Sequence, residues 1–551
     1  MKSVMDHSFS RAPNLEAQRS SFNRSNGVKT TIDADKLIPI ENWHVISGDT
    51  INLRCSVFGR MNTPLYPLMD NLWADIHFFF VPYRQLWNNW RAFMGETTEK
   101  YDPQDPPNHT DHTIPQVTGV VDQGSLSDYF GYPIDQTISV SAFNHRAYWH
   151  IFNEWYRDQS LIDPQEWTKT DAGTNLNAGS GSSWYNFDNP AKRAKGHDYF
   201  TSCLPFLQKG EPVSLPLGTA APIVGLDQDI TFTSENSSYG TLSVDQASAQ
   251  HHTAGPHNTQ LTQGSTQVGT GQSDLRWDQT ALEVDLSNAT SATINELRQA
   301  MKIQHLMEIN ARSGSRYPEL IKAHFGVDFQ DVTYRPEYLG GSKGYVSMSE
   351  VPHTTNGSDA DGNPKAAGEL SAAGAFKIDG AGFTKSFTEH GVVMAMLSVK
   401  SDLTYQQGIE REALRETRFD YYFPSLAHLG EQAVLNKEIY YKDTMPDTNE
   451  HGTGKEDVFG YQERWAEMRY KNSKITGKMR SDATGSLDVW HLSQDFNQCP
   501  KLNKDFIESA MPINRIVAFP DEPDFHVDSY FKCIHTRPMP VYSIPTVMER
   551  L

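Results

Sequence analysis

The stretch Ile51-Asn-Leu-Arg-Cys-Ser-Val57 decides the fold class of this chain. Its apolar side chains stand at every second position and alternate with polar ones, a period of two that predicts a half-buried β-strand. The preceding Ser47-Gly48-Asp49 is typical of a turn. The pattern therefore predicts a β protein in which one face of this strand covers a core.

Further strand patterns occur toward both ends of the chain. Residues 72–81 and 391–399 contain continuous apolar runs, as expected of strands buried on both faces. Alternation predicts strands at 487–492 and 528–534, and the aromatic run 419–423 before Pro424 predicts another. Because the strands lie at both ends, with helices and loops between them, we predict one mainly β sandwich completed by both termini.

Helical periodicity is confined to the middle of the chain. Residues 141–161 form an aromatic amphipathic pattern. A second helix is predicted at 293–312, where Thr293 and Glu296 match a capping box. A third is predicted at 317–325, ended by Gly326. We expect these helices to lie on insertions between the strands.

The charge balance limits how the protein can contact nucleic acid. The 551 residues include 48 Lys and Arg against 68 Asp and Glu, a formal net charge of −20. Binding phosphates requires clustered cations. Any contact with DNA therefore needs a local basic patch or a second, basic protein.

Signals for export, metal binding and catalysis are missing from the sequence. The N-terminus has no apolar segment typical of a secretory signal, and no stretch approaches the roughly 20 apolar residues of a membrane span. The four cysteines form no CxxC pair, and the histidines at 109–112 and 251–257 lack a supporting ligand pattern. P-loop and HExxH motifs are absent. We therefore predict synthesis in a reducing cytoplasm, no membrane insertion, no metal or other cofactor, and no enzymatic activity.

Residues 219–286 differ in composition from the rest of the chain. They are rich in Ser, Thr, Gln, Gly and Asn, and carry eight acidic residues against the single basic Arg276. Such a segment has too little apolar material for a core of its own. It is interpreted as a long exposed excursion, and loops of that length are usually functional or disordered.

Two basic clusters are candidates for contact with DNA. The first comprises Arg469, Lys471, Lys474, Lys478 and Arg480, without an acid between them and with Trp465, Tyr470 and Trp490 beside it. Cations interleaved with aromatics suit single-stranded nucleic acid, because bases stack on rings while phosphates pair with cations. The second cluster is Lys192, Arg193 and Lys195. The alternative for both is a solvated surface or salt bridges between subunits.

Several segments together resemble one family, the major capsid proteins of the small single-stranded DNA phages (Microviridae), in the gokushovirus branch. The matching segments span nearly the whole chain and fade at about 219–286 and 353–380. They are Arg19-Ser-Ser-Phe-Asn-Arg-Ser, Pro67-Leu-Met-Asp-Asn-Leu, Phe78-Phe-Phe-Val-Pro, Trp87-Asn-Asn-Trp, Phe93-Met-Gly-Glu, Leu126-Ser-Asp-Tyr-Phe-Gly-Tyr-Pro, Tyr148–Asp158, Lys195-Gly-His-Asp-Tyr-Phe-Thr-Ser-Cys-Leu-Pro, Arg335-Pro-Glu-Tyr-Leu-Gly-Gly, Tyr530-Phe-Lys-Cys and Thr536-Arg-Pro-Met-Pro-Val-Tyr.

The resemblance implies an eight-stranded antiparallel jelly roll with long helix-bearing insertions, assembled as sixty copies into a T=1 icosahedral shell. It implies a virion protein, assembled in the bacterial host cytoplasm, that encloses circular single-stranded DNA with a small basic DNA-binding protein. Minor spike or pilot proteins are further possible partners. An insertion protrudes at the three-fold axes in this branch, and here the acidic excursion is the candidate. Its host-receptor candidates are Asp227, Asp229, Glu235, Asp245 and Trp277.

With this resemblance the chain divides into five predicted segments. They are a polar N-terminal arm (1–33), N-terminal jelly-roll strands with a helical insertion (34–218), the exposed acidic insertion (219–290), helices and loops (291–380), and C-terminal jelly-roll strands with the basic loop (381–551).

Two other function classes were weighed against the structural one. A secreted-type β-sandwich enzyme or binding protein for carbohydrates would suit the acids and tryptophans, but its chemistry needs two carboxylates at a defined separation. The sequence shows no such pair on adjacent predicted strands. A standalone nucleic-acid-binding module conflicts with the acidic charge balance.

Overall fold

The computed structural model describes residues 18–96, 112–176, 187–213, 294–328, 334–352 and 370–542, together with short strands between 223 and 284 and between 357 and 365. By its internal contacts the chain divides into two compact units. One comprises residues 1–207 and 310–551, and the other comprises residues 208–309.

The described strands are numbered here in chain order. Those preceding the second unit are β1 (Ser20–Asn23), β2 (Asn26–Ile32), β3 (Ile38–Val45), β4 (Thr50–Met61), β5 (Leu72–Pro82), β6 (Gln116–Val120), β7 (Thr137–Ser141) and β8 (Thr174–Asn175). Those of the second unit are β9 (Ile223–Gly225), β10 (Ile230–Ser234), β11 (Ser237–Leu242), β12 (Thr262–Gln263), β13 (Thr266–Gln267), β14 (Arg276–Trp277) and β15 (Leu282–Val284). Those after it are β16 (Glu337–Pro352), β17 (Gly357–Ser358), β18 (Pro364–Lys365), β19 (Leu370–Ser386), β20 (Gly391–Ser401), β21 (Thr404–Tyr405), β22 (Glu431–Leu435), β23 (Val458–Glu463), β24 (Ser473–Lys474) and β25 (Phe525–Arg537).

The described α-helices are fewer and mostly short. They are α1 (Tyr83–Leu86), α2 (Trp90–Phe93), α3 (Leu126–Tyr129), α4 (Phe143–Ile151), α5 (Ile294–Arg312), α6 (Tyr317–Phe325), α7 (Asn436–Ile439) and α8 (Lys504–Ile507).

The long strands form an antiparallel jelly roll. One half has the order β2-β25-β4-β19 and the other has the order β3-β20-β5-β16, while β1 adds to the edge beside β25. Strand β16 joins the halves, because Glu337–Tyr345 pairs with β5 and Val346–Pro352 pairs with β19. This arrangement confirms the predicted mainly β fold, completed by strands from both ends of the chain.

The main core lies between the two halves. Inward side chains of β4, β19 and β25 meet those of β3, β5 and β20 in one buried cluster. Trp43 lies edge-on to Phe531, with ring centroids 5.3 Å apart, and Phe78 lies 5.6 Å from Phe383. Edge-on and tilted aromatic pairs add to the stability that burial of their area provides.

Strands β5 and β20 are buried on both faces, as their continuous apolar runs predict. Their second face supports another buried cluster, in which Phe79, Val392 and Met394 pack with Tyr148 of α4 and Trp87. The half containing β4 and β25 alternates strictly between buried and exposed residues. Only one of its faces belongs to the core.

The predicted helices were confirmed in part. Helix α5 has the predicted extent, although Thr293 of the capping box lies outside the described residues. Helix α6 ends at Gly326, whose φ of 68° is the left-handed conformation favoured at a helix C-terminus. The helix predicted at 141–161 is shorter: α4 passes into one π-helical turn at Phe152–Tyr156, and Arg157 is extended.

Two predicted strands were wrong. Residues 419–423 begin inside a 3₁₀ turn at Arg418–Asp420, and Phe419, Tyr421 and Tyr422 are exposed rather than paired in a sheet. Residues 487–492 contain a 3₁₀ turn at Asp488–Trp490. There the backbone bonds to the irregular link between β4 and β5, with Met69 N donating to the Trp490 carbonyl at 2.8 Å. In so short a segment, alternation of polar and apolar side chains arises from packing against a loop as readily as from pairing in a sheet.

A glycine near the C-terminal end of β4 has a steric role that can be tested. A Cβ at Gly59 would lie 2.1 Å from the ring of Phe376, which is buried on the neighbouring strand and packs edge-on to Phe525. We expect Gly59→Ala to lower the free energy of unfolding by about 1–3 kcal/mol, because the ring has no free space to enter. Urea denaturation of the purified protein measures the change.

Gly27 provides the matched control on the same sheet. A Cβ there meets only the Ser529 carbonyl oxygen at 3.6 Å, an ordinary contact. Gly27→Ala should change the stability by less than about 0.5 kcal/mol. Equal stabilities of the two variants would contradict the packing of Phe376 over Gly59.

Candidate nucleic-acid and assembly surfaces

The first basic cluster is held beside an acidic loop by a short parallel strand pair. Thr404 and Tyr405 of β21 pair with Ser473 and Lys474 of β24, and Ile475 N donates to the Tyr405 carbonyl at 2.9 Å. The pairing places residues 469–480 against residues 406–412, with a groove between them. The position of the cluster therefore depends on a contact with a segment about 70 residues earlier.

Glu410 neutralises two of the predicted DNA-contact lysines. Its carboxylate lies 2.8 Å from Lys471 Nζ and 3.1 Å from Lys474 Nζ, and Glu412 lies 3.8 Å from Lys471. The hydrogen bonds from Lys471 and Lys474 lower the pKa of Glu410, so it stays charged at neutral pH. All these groups are largely exposed, which makes each pair weak and sensitive to salt.

The remaining cations of the cluster differ from the two lysines. Arg469 pairs with Glu463. Neither Lys478 nor Arg480 has an ion pair among the residues that the structure describes. Contact of this cluster with DNA stays a prediction, with Lys478 and Arg480 as the cations whose charge is least compensated.

The second basic cluster serves contacts within the subunit. Arg193 donates to Asp75 at 2.8 Å and to Ser398 at 2.9 Å, and Lys400 also pairs with Asp75 at 2.8 Å. Despite its burial, which acts in the opposite direction, the carboxyl of Asp75 has a pKa lowered by Lys400 and Arg193. The residues therefore form a compact charged network beside β5 and β20.

Lys195 lies almost entirely inside the protein. Its ammonium donates to Gln494 at 2.7 Å and to the Phe506 carbonyl at 2.5 Å, and lies 4.3 Å from the centre of the Phe506 ring. Burial lowers its pKa to about 8. Of the predicted second cluster only Lys192 is exposed. DNA contact of this cluster also stays a prediction, and in this conformation Lys192 is its accessible charge.

The predicted receptor residues fall in the second unit. Asp227, Asp229, Glu235 and Asp245 lie outside the described residues. Trp277 is part of β14, whose backbone pairs with Phe232 of β10. Strands β9 and β15 pair antiparallel, with Gly225 opposite Leu282, so the backbone returns close to its starting point after the excursion.

An exposed loop that the sequence analysis missed combines arginines with aromatics. We call residues 411–423 the arginine–aromatic loop. Its side chains Phe419, Tyr421 and Tyr422 are 67%, 54% and 46% exposed. Arg415 lies 5.4 Å from the Tyr421 ring. The spacing of Arg411, Arg415 and Arg418 before the aromatic run was the available signal, but the run was interpreted as a strand.

The loop is held in place although its rings face solvent. The Asp420 carboxylate accepts hydrogen bonds from the backbone N–H groups of Thr417, at 2.7 Å, and Glu416, at 3.1 Å. Arg411 pairs with the buried Glu438 at 2.7 Å, and Tyr422 lies edge-on to Trp465 with centroids 5.6 Å apart. A fixed aromatic surface of this kind is typical of the core of a protein interface, where Tyr, Phe and Arg are enriched.

Within the described ranges, no group of three or more His, Cys, Asp and Glu side chains is placed to hold a metal ion. None of the helices in that part of the chain combines the length and apolarity needed to span a bilayer.

Comparison with known proteins gives full-length matches. The family model described as "Capsid protein (F protein)" matches residues 10–547. The chain is 40% identical to the capsid protein VP1 of Chlamydia phage 1, covering 99% of this chain and 98% of the relative. It is also 40% identical to the capsid protein VP1 of Bdellovibrio phage phiMH2K, with the same coverage. The capsid protein VP1 of Spiroplasma virus 4 is 33% identical over 98% of this chain and 97% of its own length.

The contact between Glu410 and the basic cluster predicts a gain of binding on mutation. We expect Glu410→Gln to raise the affinity for single-stranded oligonucleotides, because it frees Lys471 and Lys474. Each phosphate contact recovered should steepen the dependence of log K on log salt by about 0.7. Fluorescence anisotropy with labelled oligothymidylate at several salt concentrations measures both quantities.

Glu412→Gln removes the same charge and serves as the control. Among the described residues Glu412 forms an ion pair with Lys471 alone, at the longer distance of 3.8 Å, so its effect should be the smaller of the two. If Glu410→Gln binds the oligonucleotide as the parent protein does, the two lysines do not contact DNA.

Proposed function

The chain belongs to the family of phage capsid F proteins, and from this we propose that it is the major subunit of a T=1 icosahedral shell of sixty copies around circular single-stranded DNA. The observation that carries the proposal is the match over residues 10–547, together with a jelly roll completed by both ends of the chain. As a capsid protein it is a virion component that assembles in multiple copies. The resemblance to the Microviridae capsid proteins is thereby confirmed.

The proposal includes assembly through apolar loop surface. A closed shell requires each subunit to contact several neighbours. The arginine–aromatic loop offers exposed rings whose burial against a neighbour would stabilise assembly, since burying one large apolar side chain contributes about 1.5–3 kcal/mol. The loop carries both arginines and acidic side chains. This mixture of charges suits contact with the surface of another acidic copy better than contact with a polyanion.

The proposal assigns charge neutralisation of the genome to more than one protein. A chain of net charge −20 does not neutralise a DNA molecule by itself. We infer that a small basic DNA-binding protein shares the interior with the genome. The function proposed for this chain is therefore enclosure, with local DNA contacts at cationic surfaces.

The acidic excursion is proposed as the surface for host attachment. It is the part of the chain with composition farthest from that of a packed core, and it carries the receptor candidates named above. Assembly in the host cytoplasm and association with minor spike or pilot proteins belong to the same proposal. Neither the family match nor the curated relatives support the alternative of a carbohydrate-active protein, and the proposed role is structural without catalysis.

Truncating the exposed rings should impair assembly without unfolding the subunit. For Phe419→Ser combined with Tyr421→Ser, we expect at least a tenfold rise in the concentration needed for half-maximal assembly, equivalent to about 1.4 kcal/mol. Sedimentation velocity of the purified protein measures assembly, and a thermal melt checks the fold. Phe419→Tyr combined with Tyr421→Phe keeps the aromatic area and should assemble normally. Unchanged assembly of the serine variant would exclude the loop from subunit interfaces.

Removing the excursion should separate assembly from host attachment. Because Gly225 lies opposite Leu282, a short Gly-Ser linker can replace residues 226–281 while β9 and β15 remain paired. We expect intact particles by electron microscopy that no longer adsorb to host cells. Particles of the full-length protein are the control. Loss of assembly would show instead that the excursion holds neighbouring subunits together.

A further inference from the structure

One face of the jelly roll carries cations that form no ion pair with other described residues. Strand β4 alternates strictly, so Arg54, Phe58 and Arg60 point away from the core, and His526, Tyr530 and Lys532 do the same on β25. We call these six residues the cationic sheet face. It lies on the half of the jelly roll whose second face is not covered by a core cluster of the described residues.

The strand register places the cations Lys532 and Arg54 directly opposite one another. In the same register His526 pairs with Arg60. Like charges opposite each other in a sheet are destabilising. An arrangement that costs stability on this face points to a role other than folding.

The cations of this face differ from two neighbouring lysines, which form ion pairs. Lys29 pairs with Asp528 at 3.7 Å and Lys377 pairs with Asp379 at 2.6 Å, so the acids of this face are already engaged. Among the described residues, Arg54, Arg60 and Lys532 have neither an ion pair nor a side-chain hydrogen bond. Their charge is available to an external anion.

Two exposed rings lie between the cation pairs. Phe58 is 51% and Tyr530 is 54% exposed. Phe58 is opposite Asp528 and Tyr530 is opposite Ser56, so the two rings are diagonal neighbours, within reach of one another. The cation pairs stand six residues apart along β4, or roughly 20 Å at 3.3 Å per residue.

We propose that the cationic sheet face binds single-stranded nucleic acid. Phosphates pair with Arg54 and Lys532 at one end and with Arg60 and His526 at the other, while bases stack on Phe58 and Tyr530. Single-strand binding sites combine these two elements, a cationic track and aromatic platforms. The inference rests on the proposed function, in which the shell encloses a single-stranded genome, and it adds a surface that the basic clusters did not include.

The face fits this ligand better than the acidic surface of a second copy. Carboxylates of another subunit would satisfy the cations but leave the central rings without a role. Bases supply flat apolar surfaces between phosphates, which matches rings placed between cations. Contact with a second copy is the alternative outcome of the test.

The test compares two double variants of the full-length protein below its assembly concentration. Arg54→Ala with Lys532→Ala removes one cation pair from the face. Lys442→Ala with Lys501→Ala removes the same charge from exposed lysines outside this sheet. The probe is fluorescent oligothymidylate of about 30 nucleotides, titrated by anisotropy at several salt concentrations.

We expect the face variant to bind at least tenfold more weakly at low salt. Loss of two phosphate contacts should reduce the salt slope by about 1.4, at 0.7 per contact. Its melting temperature should equal or exceed that of the parent, because a repulsive pair has been removed. The lysine control should keep its affinity to within about twofold, since its charges lie outside the site.

A second pair of substitutions separates stacking from charge. Phe58→Ser with Tyr530→Ser should weaken binding while leaving the salt slope unchanged, because no phosphate contact is lost. Ultraviolet cross-linking of the bound oligonucleotide should modify the peptide that contains Tyr530 in the parent protein.

The outcomes distinguish this inference from the proposed function. Particles that contain single-stranded DNA, combined with normal oligonucleotide binding by the face variant, overturn only the cationic sheet face. Loss of assembly with unchanged oligonucleotide affinity would show that the face contacts another copy. Purified particles without DNA would overturn the proposed genome function and this inference together.

Discussion

The position of β25 between β4 and the N-terminal strands is the constraint on which the rest of the structure depends. β25 pairs along its length with β4 on one side and with β1 and β2 on the other. A buried charge group secures its end: the Asp49 carboxylate accepts hydrogen bonds from His535 at 2.8 Å and Arg537 at 3.1 Å. A buried carboxylate of this kind is tolerated because it is paired and hydrogen-bonded. Without β25, strands β1 and β2 would lose their pairing partner and would no longer be joined to β4 in the sheet.

The two halves of the jelly roll differ in how many of their faces are buried. The half with β5 and β20 is buried on both faces, one against the main core and the other against α4 and its aromatic neighbours. The half with β4 and β25 has a solvent-facing side of mostly polar and charged residues, with one exposed aromatic ring on each of the two strands. Among the described residues, the helical insertion therefore covers one half, while β4 and β25 of the other half expose alternate side chains. A shell protein needs both a rigid wedge and free faces for neighbours and contents.

Charge in this protein is organised locally, and its net value does not describe any one surface. Lys471 and Lys474 lie within a basic run, yet Glu410 compensates both. Arg193 and Lys195 lie within another basic run, yet they bond to buried or half-buried partners. Arg54 and Lys532 stand alone in the sequence and become a pair only across two strands. Membership of a basic cluster in the sequence therefore does not determine which cations are free for a partner.

The sequence by itself determined the β class, the buried strands, two of the three helix extents and the capsid family, because side-chain periodicity and family motifs are properties of neighbouring residues. Whether an aromatic run such as Phe419–Phe423 pairs or faces solvent was decided by the tertiary structure, since a strand needs a partner that local pattern does not specify. The partner of each cation was decided in the same way. Glu410 lies 61 residues from Lys471, and Asp75 lies 118 residues from Arg193. Electrostatic compensation acts through space over a few ångströms, so only the folded chain shows which charges remain free.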